Sequence, residues 1–156
     1  MKHFIWIFIL ALSAVACNQN PNQQTTDTET KVQPTDSYAQ RYFIYDKEWR
    51  LVELANEKVL LDSTFRRYPH IVFQKNNRIS GNLGCNNFGG EIEFLGKDSL
   101  RITGISATEI ACPNLDIEQQ FLEVLNNASA FHATGNKLTI GNQKDTIKAR
   151  FEMVVE

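Results

Sequence analysis

Three shortages set the outer limits of what this 156-residue chain can do. The first is an excess of charge of either sign. With 16 Lys and Arg against 18 Asp and Glu, the formal net charge is -2, so the surface has no bulk attraction for a polyanion and nucleic acid is not an expected partner. The second is cysteine. Cys17, Cys85 and Cys112 are the only three; none belongs to a C-x-x-C pair, and His70 and His132 stand at no ligand-type spacing from them, so no metal or other cofactor is expected. The third is a long apolar run. Phe4 to Ala16 is thirteen residues, about 20 Å of helix against a hydrocarbon core of about 30 Å, too short for a membrane span. Glycine is scarce as well, eight in all, and half of them fall between Gly81 and Gly90.

The apolar run does fit a secretory leader. Lys2 and His3 precede it, and small residues lead out of it into Cys17. Ala14-Val15-Ala16-Cys17 resembles the lipobox of bacterial lipoproteins, which implies cleavage before Cys17 and lipid attachment to it, several acyl chains on one cysteine anchoring stably where one chain does not. Asn18 is not the Asp that resembles an inner-membrane retention signal, so the expected address is the cell envelope at the outer membrane. From Asn18 to Ser37 the chain is mostly Asn, Gln, Thr, Asp and Pro, with Val32 as its one large apolar residue, a composition that cannot offset ordering entropy. As a flexible coil this tether would hold the domain on the order of 25 Å from the lipid. The expected division is a signal peptide over 1–16, lipidated cysteine and tether over 17–44, and a folded domain over 45–156.

Within that domain the periodicity is mostly two. Trp49 to Leu54, Lys58 to Leu61, His70 to Gln74, Arg78 to Leu83, Glu91 to Leu95, Ser99 to Ile105, Ala130 to Ala133, Lys137 to Ile140 and Thr146 to Val155 read as short strands separated by turn residues. In the last, Ile147, Ala149, Phe151, Met153 and Val155 alternate with polar residues. Between Asp116 and Asn127 the period becomes helical, with Ile117, Phe121, Val124, Leu125 and Ala128 on one side and Asp116 with Gln119 as a capping-box-like start. These elements predict a mainly β (α+β) fold, a small antiparallel barrel or half-barrel of about eight short strands with one packed helix, because curling removes exposed edges.

The stretch Gly81-Asn-Leu-Gly-Cys-Asn-Asn-Phe-Gly-Gly90 is the centre of the pattern. It is expected to be a tight structural loop in which Gly81, Gly84, Gly89 and Gly90 supply the backbone angles and Asn86 and Asn87 cap the corner locally. A phosphate-binding loop would require Gly-Lys-Ser/Thr opening a helix, and Glu91-Ile92-Glu93 opens a strand instead. Together with Trp49-Arg50-Leu51, Ile71 to Phe73, Ile79-Ser80-Gly81, Ser106-Ala107-Thr108 through Ala111-Cys112, Glu118 ahead of Phe121 and Leu125, and Leu138-Thr139-Ile140, it resembles the META domain of the HslJ-like envelope proteins over roughly residues 46–155. That resemblance implies a small β-barrel with a packed helix and an association with envelope stress, and no established reaction.

Cys85 and Cys112 admit several chemistries. With Cys17 taken by lipid they are an even pair in a secreted domain, in the compartment where disulfides persist. The expected state is a bridge closing a loop of about 28 residues, and two buried thiols are the alternative. A Cys/His hydrolase needs an oriented base that nothing here supplies. Glu91 and Glu93 share an outward strand face and read as solvated. Trp49, Phe73, Phe88, Phe94, Phe121, Phe131 and Phe151 either pack a solid core or line a cavity for an apolar ligand. The function expected is that of a non-enzymatic, monomeric, membrane-tethered envelope lipoprotein that binds an envelope partner or supports stress tolerance. The alternatives are a lipocalin-like carrier of a small apolar ligand and, less favoured, a thiol-dependent enzyme.

Overall fold

The computed structural model describes residues 37–144 and 148–155. The expected leader, Cys17, the tether up to residue 36, and Thr146 and Ile147 of the last strand lie outside the described residues. The elements run α1 (Ser37–Ile44), β1 (Glu48–Leu54), β2 (Glu57–Lys58), β3 (His70–Gln74), β4 (Arg78–Asn82), β5 (Asn87–Phe94), β6 (Leu100–Ala107), α2 (Leu115–Asn126), β7 (Ala130–Thr134), β8 (Lys137–Gly141) and β9 (Lys148–Met153). The sheet is antiparallel in the order β6-β5-β4-β3-β1-β9-β8-β7, with the short β2 added to β1. It curls into a half-barrel whose two edge strands approach at one corner. There Ser99 bridges Ala130, Phe131 N donates to Asp98 O at 2.8 Å, and Leu100 N donates to Ser129 O at 3.2 Å. The mainly β fold read from the periodicity is thus the one observed, with two helices in place of one.

The core follows from alternation. Phe131, Ala133, Leu138, Ile140, Ala149 and Phe151 point inward from β7, β8 and β9 and are all buried. In β1 the alternation breaks: Trp49 and Leu51 are buried, and then Leu54. Pairing with β9 skips a residue between Leu51 and Glu53, so Val52 is the extra residue of a bulge, and the bulge resets which face the next side chains take. A second irregularity lies opposite Gly90, where β6 carries the extra residue at Gly104, with φ +60°. The amphipathic helix α2 packs its buried Phe121, Val124 and Leu125 against the sheet. Phe121 meets Phe88 with ring centroids 5.8 Å apart and Phe151 at 5.6 Å.

Four segments differ from the sequence reading. Residues 37–44, given to the tether, form α1: Ile44 is fully buried and its carbonyl accepts from Trp49 Nε1 at 3.0 Å. The Arg41 guanidinium donates to Gly96 O and lies 5.4 Å from the Phe94 ring centre, so α1 is tied to the β5–β6 turn. Helix α2 starts at Leu115 with Asn114 in the N-cap position and no side-chain cap bond, so Asp116 is inside the first turn and heads no capping box. Extended pairing after Ala55-Asn56 lasts only for Glu57 and Lys58; Leu60 and Leu61 leave the sheet and are exposed. Strand β9 ends at Met153; Val154 N still donates to Glu48 O of β1, and Val155 beyond it is exposed. Among the described residues no helix is long and apolar enough to cross a membrane.

Candidate functional site

The glycine-rich stretch is a hairpin with a four-residue turn. Strands β4 and β5 pair from Arg78 opposite Glu91 up to Asn82 opposite Asn87, so Gly81, Asn87, Gly89 and Gly90, expected in a loop, are strand residues and only Leu83 to Asn86 turn. The reason Gly81 is glycine is proximity: a Cβ there would lie 2.1 Å from His70 O and 2.7 Å from the Phe88 ring. Gly84 is the position that needs glycine for its backbone, with φ +120°. A Cβ on it would also meet the Asn114 side-chain amide at 2.5 Å and the Phe65 ring at 2.8 Å.

Asn82 organises the turn. Its Oδ1 accepts from Gly84 N at 2.8 Å, and its Nδ2 donates to Cys85 O at 3.1 Å and to Asn87 Oδ1 at 2.9 Å. Asn87 therefore acts within the corner. Asn86 does not. Its Nδ2 donates to Glu118 Oε2 at 2.7 Å and to Ile110 O at 3.0 Å, while its Oδ1 accepts from the Thr108 hydroxyl at 2.8 Å and from Ile110 N at 2.7 Å. Its backbone N–H donates to the other Glu118 oxygen at 3.0 Å. The side chain read as a local cap joins the corner to the segment after β6 and to the first turns of α2.

Glu118 is the residue that makes this possible. It is 4% exposed, on the buried face of α2, and an unaccompanied carboxylate at that depth would be strongly unfavourable. Two donors from one asparagine meet its two oxygens. Beside this polar contact, Cys85 and Cys112 stand at disulfide distance with Cα atoms 6.5 Å apart, inside the range a bridge spans. The corner is thus clasped to the approach of α2 by a sulfur pair and a hydrogen-bonded carboxylate. The sulfurs and a Glu118 oxygen lie within 4.8 Å of one another, a spacing that suits a metal ion. Both oxygens are already bonded by Asn86 and the sulfurs face each other, so the arrangement is that of a clasp.

The histidines do not join it. His70 is buried with Nδ1 at 2.8 Å from Tyr68 O, and His132 pairs through Nε2 with the Thr134 hydroxyl at 2.8 Å on the outside of β7. No hydrogen bond among the described residues connects either of these imidazoles to Cys85 or Cys112. Glu91 and Glu93 are exposed, and Glu93 pairs across the strands with Arg101 at 3.5 Å. Of the aromatics that could line a ligand cavity, Trp49, Phe73, Phe121 and Phe151 are at most 1% exposed, and the Phe121 ring meets Phe88 edge to face and Phe151 at a tilt. The grooves open outward, one of about 530 Å³ beside Glu53, Lys137 and Arg150 and one of about 310 Å³ between Ile110 and Leu122. Glu118 and Thr108 were not singled out as site residues from sequence. The signal for Glu118 was its place three residues before Phe121 and seven before Leu125, on the apolar face of the helix.

Comparison with known proteins agrees with this architecture. No curated protein matched the chain by sequence. Similar solved structures include a crystal structure of a DUF4847 family protein from Bacteroides vulgatus, at TM-score 0.52 and 17% identity, covering 72% of this chain and 95% of that one. An NMR structure of a protein from Burkholderia xenovorans gives TM-score 0.59 and 15% identity, covering 88% of this chain and 99% of its own. A further NMR structure gives 0.57 and 22%, covering 72% and 92%. At these identities the likeness is one of fold. The family model of the META domain matches residues 43–153, a span that contains the whole sheet, the clasped corner and α2, and the chain belongs to the META domain family.

Proposed function

We propose that the chain is a lipid-anchored envelope protein whose META domain works by binding and not by catalysis. The observation that carries this reading is the placement of Cys85 and Cys112 at disulfide distance, 6.5 Å between Cα atoms, in a chain whose third cysteine ends an apolar leader. A paired thiol set of this kind suits an oxidising compartment outside the cytoplasm. Cys17 carries the lipid, Asn18 directs the protein to the outer membrane, and the domain is a monomer that meets an envelope component or supports stress tolerance. The clasp serves rigidity: it fixes the corner and the segment from Thr108 to Asn114 relative to α2, which presents a constant surface without ordering cost at each encounter.

Two observations weigh against the other readings. Phe121 packs against Phe88 and Phe151 in the interior, where a lipocalin-like carrier would hold its ligand, and His70 and His132 hydrogen-bond elsewhere. The anchor is tested by growing cells with radiolabelled palmitate. Label enters the wild-type chain and is absent from Cys17→Ser; label that survives the substitution overturns the anchor.

A further inference from the structure

Between β2 and β3 the chain makes a loop that exposes both apolar and basic side chains. Leu60 is 79% exposed, Leu61 41% and Tyr68 51%, and Arg66 and Arg67 are exposed beside them. Single exposed apolar residues are ordinary, but adjacent leucines with a tyrosine in one loop form a patch. The loop is also held in shape. The Asp62 carboxylate accepts from Thr64 N at 2.8 Å and from the Thr64 hydroxyl. Arg66 N and Arg67 N both donate to Gly84 O, at 2.9 and 3.1 Å, so the loop is fastened to the clasped corner. The Arg50 guanidinium lies 4.5 Å from the Tyr68 ring centre.

We propose that this loop is a bilayer-contact element for an anionic phospholipid surface. Leu60 and Leu61 enter the headgroup–acyl boundary, Tyr68 lies at headgroup level with its ring apolar and its hydroxyl wet, and the Arg66 and Arg67 guanidinium groups take lipid phosphates. Charge complementarity selects this occupant. The whole chain is net negative, yet the loop carries Arg66 and Arg67 against the single Asp62, whose carboxylate is occupied by Thr64. Size argues the same way, because a stable protein interface covers about 800 Å² on each partner and the patch is a few side chains at a loop tip. The setting rests on the anchored reading, in which a short tether keeps the domain near lipid and a weak contact suffices. The site itself does not depend on that anchor.

The test uses the full chain carrying Cys17→Ser, so that no acyl chain contributes, and compares loop variants that share one N-terminus. Amide hydrogen exchange is followed in the peptide spanning 59–68 with protein-free vesicles of phosphatidylcholine alone or mixed equally with phosphatidylglycerol. The mixed vesicles slow exchange there on the order of tenfold, phosphatidylcholine alone slows it less, and about 0.5 M salt removes much of the difference. Leu60→Ser with Leu61→Ser abolishes the slowing, and Arg66→Gln with Arg67→Gln abolishes its dependence on anionic lipid; these side chains are exposed, so the fold is retained. Unchanged exchange in 59–68 with mixed vesicles overturns the proposal. Slowing that requires membranes containing proteins, and is absent with protein-free vesicles, also overturns it in favour of a protein partner. Palmitate label that is absent from the wild-type chain, or that survives Cys17→Ser, with the slowing intact refutes the anchor and leaves the loop assignment standing.

Discussion

Asn86→Ala removes the centre of the clasp while leaving the sulfur pair in place. Four side-chain hydrogen bonds disappear: two donated, to Glu118 and to Ile110 O, and two accepted, from Thr108 and from Ile110 N. Glu118, 4% exposed, keeps only the backbone donor of residue 86. A hydrogen bond to a charged group contributes about 1.5–3 kcal/mol, and leaving a buried polar group unsatisfied costs about 1–3 kcal/mol more. The two effects overlap, because water reaches part of the opened space, and the expected loss is about 3–5 kcal/mol, the range found when a buried charge loses its partner. That is a large share of a domain stability of about 5–15 kcal/mol. Urea titration followed by the fluorescence of Trp49, which is fully buried, measures it. Glu118→Gln removes the charge and turns an amide donor toward donors of Asn86, so it is destabilising too. The double substitution is expected to cost less than the sum by at least ~1 kcal/mol, because either single change already breaks the same contact. A midpoint for Asn86→Ala within ~1 kcal/mol of wild type, or strict additivity, would refute the clasp as a stabilising unit.

Phe151, 1% exposed between α2 and the sheet, is expected to cost about 3–5 kcal/mol as Phe151→Ala, whereas the exposed neighbour Glu152→Ala changes stability by no more than about 0.5 kcal/mol; equal denaturant midpoints would mean that the inward face of β9 is assigned wrongly. Asp62 titrates below the ordinary carboxylate range because the Thr64 hydroxyl, and then the Thr64 amide, donate to its charged form. With the folded pKa depressed, its contribution to stability is present above the unfolded pKa and is lost as pH falls through the folded pKa. An NMR titration of the Asp62 side chain should show Thr64→Val moving the midpoint up, and an unmoved midpoint contradicts the assigned cause.

The strands were legible where one face is core and the other wet. β7 alternates throughout and β8 does so as far as Ile140, and their inward residues, Phe131, Ala133, Leu138 and Ile140, are the ones that period two selects. Helix α2 was legible from Phe121, Val124 and Leu125 for the same reason at a different period. What was not legible depended on partners distant in sequence. The glycines of β4 and β5 read as loop because glycine commonly marks a turn, while Gly81 is set by the approach of His70 and Phe88. Asn86 read as a local cap because its partners, Thr108, Ile110 and Glu118, lie 22 to 32 residues away. Helix α1 escaped notice because its burial rests on Ile44 meeting Trp49 and Arg41 reaching Gly96, contacts that no local period reveals.

The central claim, an anchored envelope domain whose glycine corner is bridged to the approach of α2, is tested most directly by the intact mass of the protein recovered from cell membranes, alkylated without prior reduction. Closing the 27-residue separation between Cys85 and Cys112 contributes about 3.5 kcal/mol on the chain-entropy estimate, so the bridge is expected in essentially every folded molecule. The expected result is a chain that begins at Cys17, carries the mass of attached acyl groups and takes up no alkylating reagent at Cys85 or Cys112 until it is reduced, after which it takes up two equivalents. A chain that retains residues 1–16 without acyl mass, or one alkylated at both Cys85 and Cys112 without reduction, would contradict it.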